Sequence, residues 1–267
     1  MAADVLLETH PELPLRDVVF DAALIDRIGL THGWTASFLR FYQDDEDICK
    51  RLREADLDAM QQQVVQLHSE GNFTGASEHL EKLWSLTAEI TGATNQWNLS
   101  PSGRAKDLWG FIDMELPKYI SERAEQLGMA PGVKFLYFNP DVFVAFDKTC
   151  RLEDATCALT RLREKGVRTL VVTAEWDGMA TIEAVSHWLG KNFSETWQTV
   201  ELKTPDVPLS SQEALAKHDF SHAIVSNCMH SVLTNEGPVF ARILEAFLNF
   251  PKESSAEESE EKKSSPL

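Results

Sequence analysis

Residues 167–177 read VRTLVVTAEWD, and this stretch decides the fold that the sequence predicts. Apart from Arg168, its first eight residues are apolar or β-branched, which is typical of a strand buried in a parallel sheet. A second apolar run at 222–225 predicts another strand. Helical patterns surround both runs, at 151–165, 181–189, 212–217 and 238–250. Helices that alternate with short apolar strands favour an α/β fold with a parallel sheet.

The first half of the chain has a different pattern. Apolar residues recur at helical spacing over 52–90, and Gly71 with Asn72 divides this stretch into two predicted helices. Gly92 is a plausible end for the second helix, and a further helix is predicted over 110–127. Alternation of apolar and polar residues is not sustained here, so this half is predicted to be mostly helical.

Three regions follow from these patterns. We expect a mainly helical, cap-like region over residues 1–130 and an α/β module over 131–250. The tail at 251–267 is rich in Glu, Ser and Lys. Its only large apolar residue is Leu267. Such a tail cannot bury enough apolar surface to offset the entropy of ordering, so it is predicted to be a disordered acidic segment.

Charge and composition bear on which partners the chain can bind and on where it is located. The formal net charge of −17 disfavours binding to nucleic acid or to an anionic membrane surface. No stretch approaches the roughly 20 apolar residues of a membrane-spanning helix. The first residues lack the basic and apolar parts of a signal peptide. We therefore expect a cytoplasmic protein, or a secretory one if an upstream segment is missing; three sequons (Asn72, Asn98, Asn192) point weakly to the secretory route.

The four cysteines form no Cys-x-x-Cys pair and no cluster with histidine, so neither a metal site nor another cofactor is predicted. Their simplest role is that of small buried apolar groups.

Two loops that follow the predicted strands carry the candidate catalytic residues. Asp177 ends the stretch quoted above, and His230 lies in the segment after the 222–225 strand. Polar groups at the carboxyl ends of neighbouring parallel strands converge on one edge of the sheet. An acid followed by a histidine is the order of the last two members of a Ser–Asp–His triad. Alternatively, Asp177 caps a helix that starts near Met179.

Two neighbours of this pair have open roles. Trp176 precedes Asp177 and either lines a substrate pocket or packs into the core. Cys228 precedes His230 by two residues and could replace serine as a nucleophile, but so short a loop rarely lets a thiol reach the imidazole productively.

Residues 167–177 resemble the strand and acid of the serine carboxypeptidase family, which belongs to the α/β-hydrolases, with the family pattern V-x-V-L-x-Y-x-G-x-x-D. Residues 229–238 are similar to that family's late segment around the catalytic histidine. Three short segments of the α/β module are also similar to the family, at 138–142, 189–190 and 247–248. The family's helical insertion is resembled by residues 28–30 and 69–73 and by Ala76, Leu83 and Ile90. The resemblance implies a partial α/β-hydrolase-like sheet, with Asp177 and His230 as the catalytic acid and histidine.

The sequence departs from this family at three points. Met229 stands where the family has the glycine before the histidine, and the family's proline after it is missing. Glu175 and Trp176 replace the usual small and polar residues before the acid. The serine-bearing turn G-x-S-x-G, which should precede the helical insertion, is not recognisable. Without it, the Asp–His pair can polarise water but cannot form an acyl-enzyme.

Three functions remain open at this point. The first is an enzyme that acts on a small molecule or peptide through His230 and Asp177. The second is a catalytically inactive binding partner, in which the two side chains are expected too far apart to form a hydrogen bond. The third is a half-enzyme completed by another chain. A sheet that lacks half of its strands has an exposed edge, which its own N-terminal segment, a second copy or another chain should cover.

Overall fold

The structure is a computed structural model. It describes residues 8–10, 12, 14–23, 26, 28–93, 99, 116–130, 132, 133, 139, 141, 155–193, 198–202, 211, 215 and 218–249.

The described residues form a sheet of four parallel strands. These are β1 (Asp17–Asp21), β2 (Arg168–Ala174), β3 (Gln198–Leu202) and β4 (Phe220–Val225), in the spatial order β1-β2-β4-β3. The α/β class and the parallel sheet predicted from residues 167–177 are therefore confirmed. Every residue of β2 is buried, as expected for a central strand made of Leu, Val and Thr.

The helices with described bounds are, in chain order, α1 (Trp34–Phe41), α2 (Glu46–Glu54), α3 (Leu57–Ser69), α4 (Phe73–Thr91), α5 (Leu116–Glu122), α6 (Thr156–Glu164), α7 (Ile182–Phe193), α8 (Val232–Asn235) and α9 (Gly237–Asn249), with a 3-10 turn at Gly29–Thr31. As predicted, α3 and α4 are separated at Gly71 and Asn72, where the Asn72 side chain accepts a hydrogen bond from the backbone of Gly75. Gly92 ends α4 in the left-handed conformation, with φ of 72°.

Helices pack on both faces of the sheet. On one face, alternate residues of β2 and β4 contact α9, whose inner side carries Phe240, Ile243 and Phe247. On the other face, Val171 and Phe220 contact α6 and α7. This alternation is the expected consequence of successive strand residues pointing to opposite faces.

A third apolar core joins α1, α2, α3 and α4. Phe38, Leu52, Val64 and Leu83 are buried at its centre. An ion pair between Arg40 of α1 and Glu183 of α7 links this helical part to the layer of helices on the sheet.

Several predicted boundaries were wrong. Strands β1 and β3 were missed: acidic residues flank the apolar run of β1 at 18–20, and β3 alternates apolar and polar residues over five positions only. The helix predicted to reach residue 127 ends at Glu122, and turns continue to Gly128. Strand β4 begins two residues earlier than expected, at Phe220.

Other predictions concern residues that the structure does not describe. They are the tail at 251–267, all of the helix at 212–217 except Leu215, the amino-terminal part of the helix at 110–127, Asn98 and most of the segment 138–142.

Strand β1 covers one side of β2. It pairs with β2 in parallel along its whole length, from Asp17 opposite Arg168 to Asp21 opposite Val172. One of the three coverings expected for an open edge, the chain's own N-terminal segment, is therefore present. Within the described part of the chain, no helix is long and apolar enough to cross a membrane.

Candidate functional site

The loops after β2 and β4 lie side by side at the carboxyl edge of the sheet. Their strands are paired up to Ala174 and Val225, and the contact continues beyond the strands. The backbone amide of Glu175 donates to the carbonyl of Val225, and that of Trp176 donates to the carbonyl of Cys228, both at 2.9 Å. The residues between these contacts are thus held at fixed spacing.

Asp177 and His230 come together at this edge. Nδ1 of His230 lies 2.8 Å from Oδ2 of Asp177, and the Asp177 side chain is fully buried, whereas 27% of the His230 side chain is exposed. The second carboxylate oxygen of Asp177 accepts hydrogen bonds from the backbone amides of Met179 and Ala180, at 2.7 and 3.1 Å. The Asp177 carboxylate therefore orients the His230 imidazole with one oxygen and stabilises its own loop, after β2, with the other.

The alternative role for Asp177, as the cap of a helix near Met179, is only partly correct. The amides that it accepts belong to the turn before α7, and α7 itself begins at Ile182. The side chain of Thr181 accepts from the amide of Ala184 and so caps that helix. Asp177 is therefore free of the helix-capping role, and one of its oxygens is left for the histidine.

The environment of His230 favours the protonated imidazolium. Burial by itself lowers the pKa of His230, but the hydrogen bond and charge of Asp177, together with the charge of Asp21, raise the pKa above its ordinary value of 6.5. Because Asp177 can only accept, Nδ1 of His230 is the donor in their bond. The atom that exchanges a proton with another group is then Nε2.

Asp21 is a site residue that the sequence analysis missed. It ends β1, and its carboxylate accepts hydrogen bonds from three consecutive residues after His230: the Ser231 hydroxyl at 2.8 Å, and the backbone amides of Val232 and Leu233 at 3.0 and 3.1 Å. The available signal was the apolar run at 18–20 followed directly by an acid, which repeats the pattern of β2 and Asp177 in a shorter form.

Ser231 caps the short helix α8. Its hydroxyl accepts a hydrogen bond from the amide of Thr234 at 3.2 Å, which agrees with the capping role that a serine favours. The same hydroxyl donates to Asp21. The segment after His230 is thus held both by its own cap and by strand β1.

Glu175 stabilises the other end of the loop after β4. Its carboxylate accepts a hydrogen bond from the amide of Asn227 at 2.7 Å. Asn227 has a φ of 52°, a left-handed conformation that asparagine adopts more readily than most residues. The acid pair Glu175 and Asp177 therefore holds both Asn227 and His230 in place across the two loops.

Trp176 joins the site to the helical part of the chain. Its ring lies 5.8 Å from that of Phe41, centroid to centroid, and packs against the apolar core of α1 to α4. Its carbonyl accepts a hydrogen bond from the amide of Leu99 at 2.9 Å. The packing interpretation is thus supported, and a role for Trp176 in binding substrate stays a prediction.

Cys228 is poorly suited to act as a nucleophile. Burial, with the negative charges of Glu236, Asp21 and Asp177, raises the pKa of its thiol to about 12. The side chain is 1% exposed, and its Sγ lies 3.4 Å from the carbonyl of Met229. Since the thiolate is the reactive form, the thiol remains inert near neutral pH.

Among the residues that the structure describes, no group of three or more His, Cys, Asp or Glu side chains is arranged to hold a metal ion.

Comparison with protein-family models, with curated proteins and with solved structures finds no match to this chain.

Proposed function

We propose that the chain is a hydrolase-related enzyme in which His230, oriented by Asp177, transfers protons during hydrolysis of a small molecule or peptide. The observation that carries this proposal is the 2.8 Å contact between Nδ1 of His230 and the buried carboxylate of Asp177. The reaction class is taken from the resemblance of residues 167–177 and 229–238 to the serine carboxypeptidases, in which Asp177 and His230 correspond to the family's acid and histidine.

The arrangement suits general acid–base catalysis. A carboxylate that accepts from Nδ1 fixes the neutral tautomer and stabilises the imidazolium after proton transfer. Met179 and Ala180 donate to the other oxygen of Asp177, so that the carboxylate cannot rotate away without losing two hydrogen bonds. A pre-oriented base of this kind contributes about 10²- to 10⁴-fold to a rate.

Water serves as the nucleophile in this proposal, because no serine nucleophile is recognised and the Cys228 thiol stays protonated. Nε2 of His230 removes a proton from water as its oxygen attacks the substrate carbonyl carbon. The tetrahedral intermediate then collapses with cleavage of the bond to the leaving group. The imidazolium returns its proton to the leaving oxygen or nitrogen, which restores the neutral histidine.

The inactive binding partner and the half-enzyme are the competing functions. The first was expected to separate His230 from Asp177 beyond hydrogen-bonding distance, and the observed distance does not meet that expectation. The second predicts activity only after a separate chain is added. Neither is supported by a contact within the described residues.

Hydrolysis of p-nitrophenyl acetate by the full chain tests the proposal. We expect turnover that falls about a hundredfold or more in His230→Gln and Asp177→Asn. His218→Gln is the matched control, since His218 is an exposed histidine just before β4, at the opposite edge of the sheet. Equal rates in all four proteins would mean that the ester is not hydrolysed at this site.

A fluorophosphonate probe separates water attack from serine chemistry. We expect no labelled peptide in the folded chain. A labelled serine that disappears in His230→Ala would replace the water mechanism by an acyl-enzyme mechanism. Turnover that appears only after a second chain is added would favour the half-enzyme.

A further inference from the structure

Three strand ends, rather than two, contribute to the candidate site. Asp177 follows β2, His230 follows β4, and Asp21 is the last residue of β1. Strand β1 pairs with β2 up to Asp21 opposite Val172, so its carboxyl end reaches the same edge of the sheet. The Asp21 side chain then crosses to the segment that follows His230.

We propose that Asp21 is a positioning residue of this site, which holds the turn after His230 so that the imidazole stays against Asp177. This inference rests on the proposed function only where it predicts an effect of Asp21 on the rate of hydrolysis. Its geometric basis is the set of three hydrogen bonds, at 2.8, 3.0 and 3.1 Å, from Ser231, Val232 and Leu233 to one carboxylate.

Two of the three donors to Asp21, the amides of Val232 and Leu233, are the first amides of α8, so Asp21 also caps that helix; the third donor, the Ser231 hydroxyl, lies before it. Ser231 itself caps the helix through the amide of Thr234. The three donors to Asp21 begin at the residue directly after His230, and they attach it to a strand 210 residues away in the chain. An anchor on a sheet strand is more rigid than one within the loop itself, and rigid support is what a catalytic side chain requires.

The charge of Asp21 acts on the imidazole in the same direction as that of Asp177. Both carboxylates raise the pKa of His230 against the lowering effect of burial. The other titratable groups of the two loops, Glu175, Cys228 and Glu236, are retained in the variants below. Asp177, the larger cause of the raised pKa, is retained as well, so the Asp21 variants differ from the parent only at that residue.

The test combines two readouts on the full chain. The first is the pKa of His230, followed by NMR of ¹³C-labelled histidines, with the signal assigned by its absence in His230→Gln. The second is the rate of p-nitrophenyl acetate hydrolysis. We expect Asp21→Asn to lower the pKa of His230 and to reduce the rate on the order of tenfold, because a small displacement of a catalytic group is costly.

Two further variants separate positioning from general effects. Asp21→Glu keeps the charge but lengthens the side chain, so we expect the pKa of His230 to stay raised while the rate falls less than in Asp21→Asn. Asp45→Asn removes the same charge at an exposed helix cap, where Asp45 accepts from Ile48, and should change neither readout.

The outcomes distinguish this inference from the proposed function. If Asp21→Asn leaves the pKa of His230 and the rate within error of the parent, Asp21 is only a loop anchor and the inference is wrong. If the parent itself has no turnover, the proposed function fails. The NMR titration still tests the inference in that case, because a pKa of His230 that is unchanged in Asp21→Asn would overturn it. Should Asp21→Asn not fold, a raised pKa with an unchanged rate in Asp21→Glu would overturn the positioning role.

Discussion

Arg168 donates from Nε to Oδ1 of Asp17 at 2.6 Å, and the two side chains are only 3% and 9% exposed. The guanidinium also donates to the backbone carbonyl of Phe247 at 2.6 Å and lies over the ring of that residue. This buried ion pair fastens β1 to β2 and the end of α9 at the amino edge of the sheet, opposite the candidate site.

Arg168→Met should lower the free energy of unfolding by about 3 kcal/mol or more, because it leaves the Asp17 carboxylate buried with less compensation. Urea denaturation followed by circular dichroism measures this change. Arg16→Met is the matched control: Arg16 contacts the other oxygen of Asp17 but is 58% exposed, so its loss should cost less than about 1 kcal/mol. Equal losses in the two variants would contradict the importance of burial.

Asp177→Asn should destabilise the chain more at pH 6 than at pH 8.5. The pKa of His230 is raised in the folded state, so the stabilisation is fully present below its ordinary value of 6.5 and is lost as the pH rises through the folded-state pKa. The asparagine Oδ1 can still accept from the amides of Met179 and Ala180, and those two hydrogen bonds do not depend on pH over this range. Urea denaturation at the two pH values gives the difference. A loss that is the same at both values would count against the coupling.

Glu183→Gln should destabilise the chain at neutral pH, and the effect should disappear in acid. Burial by itself raises the pKa of Glu183, but hydrogen bonds from Arg40 and Ser37 outweigh it and lower the pKa. Such a carboxylate stabilises the folded chain above its unfolded-state pKa, and this is lost as the pH falls through the folded-state value. The measurement is the free energy of unfolding from pH 7 to pH 3. Glu54→Gln, in an exposed pair with Lys50, should show almost no effect.

Iodoacetamide should modify Cys157 but not Cys228 in the folded chain at pH 7.5. Cys157 is exposed, whereas the Cys228 thiol is buried with a pKa raised to about 12. Peptide mass spectrometry before and after addition of urea identifies the modified residues. Because an inert thiol is not needed for turnover, Cys228→Ala should retain esterase activity. Rapid alkylation of Cys228 together with loss of activity would instead indicate a cysteine nucleophile.

The sequence predicted the central part of the fold and the two residues that meet at its edge. Strands β2 and β4 were recognisable because both faces of a central parallel strand are buried, which produces unbroken apolar runs. Asp177 and His230 were recognisable because each lies in the loop that follows such a run. For β2 and β4, the apolar pattern in the sequence directly reflects the buried, central position in the sheet.

Strands β1 and β3 were not predictable in the same way. They lie at the two ends of the described sheet, and β3 alternates buried and exposed residues over a short length. The role of Asp21 depends on the pairing of β1 with β2, which joins residues about 150 positions apart. Nothing in the neighbouring sequence specifies such a pairing, because it is decided by burial and by competition among all available strand edges.

The distance along the chain between Asp21 and Ser231, 210 residues, has a consequence for biosynthesis. The ribosome must add the residues from Asp21 to Ser231 before these two can meet, and closing so long a loop disfavours rapid folding. Strand β1 cannot pair with β2 until β2, about 150 residues later in the chain, has been synthesised. A nascent chain stalled before residue 230 could pair β1 with β2, but its Asp21 carboxylate would lack the donors at Ser231, Val232 and Leu233.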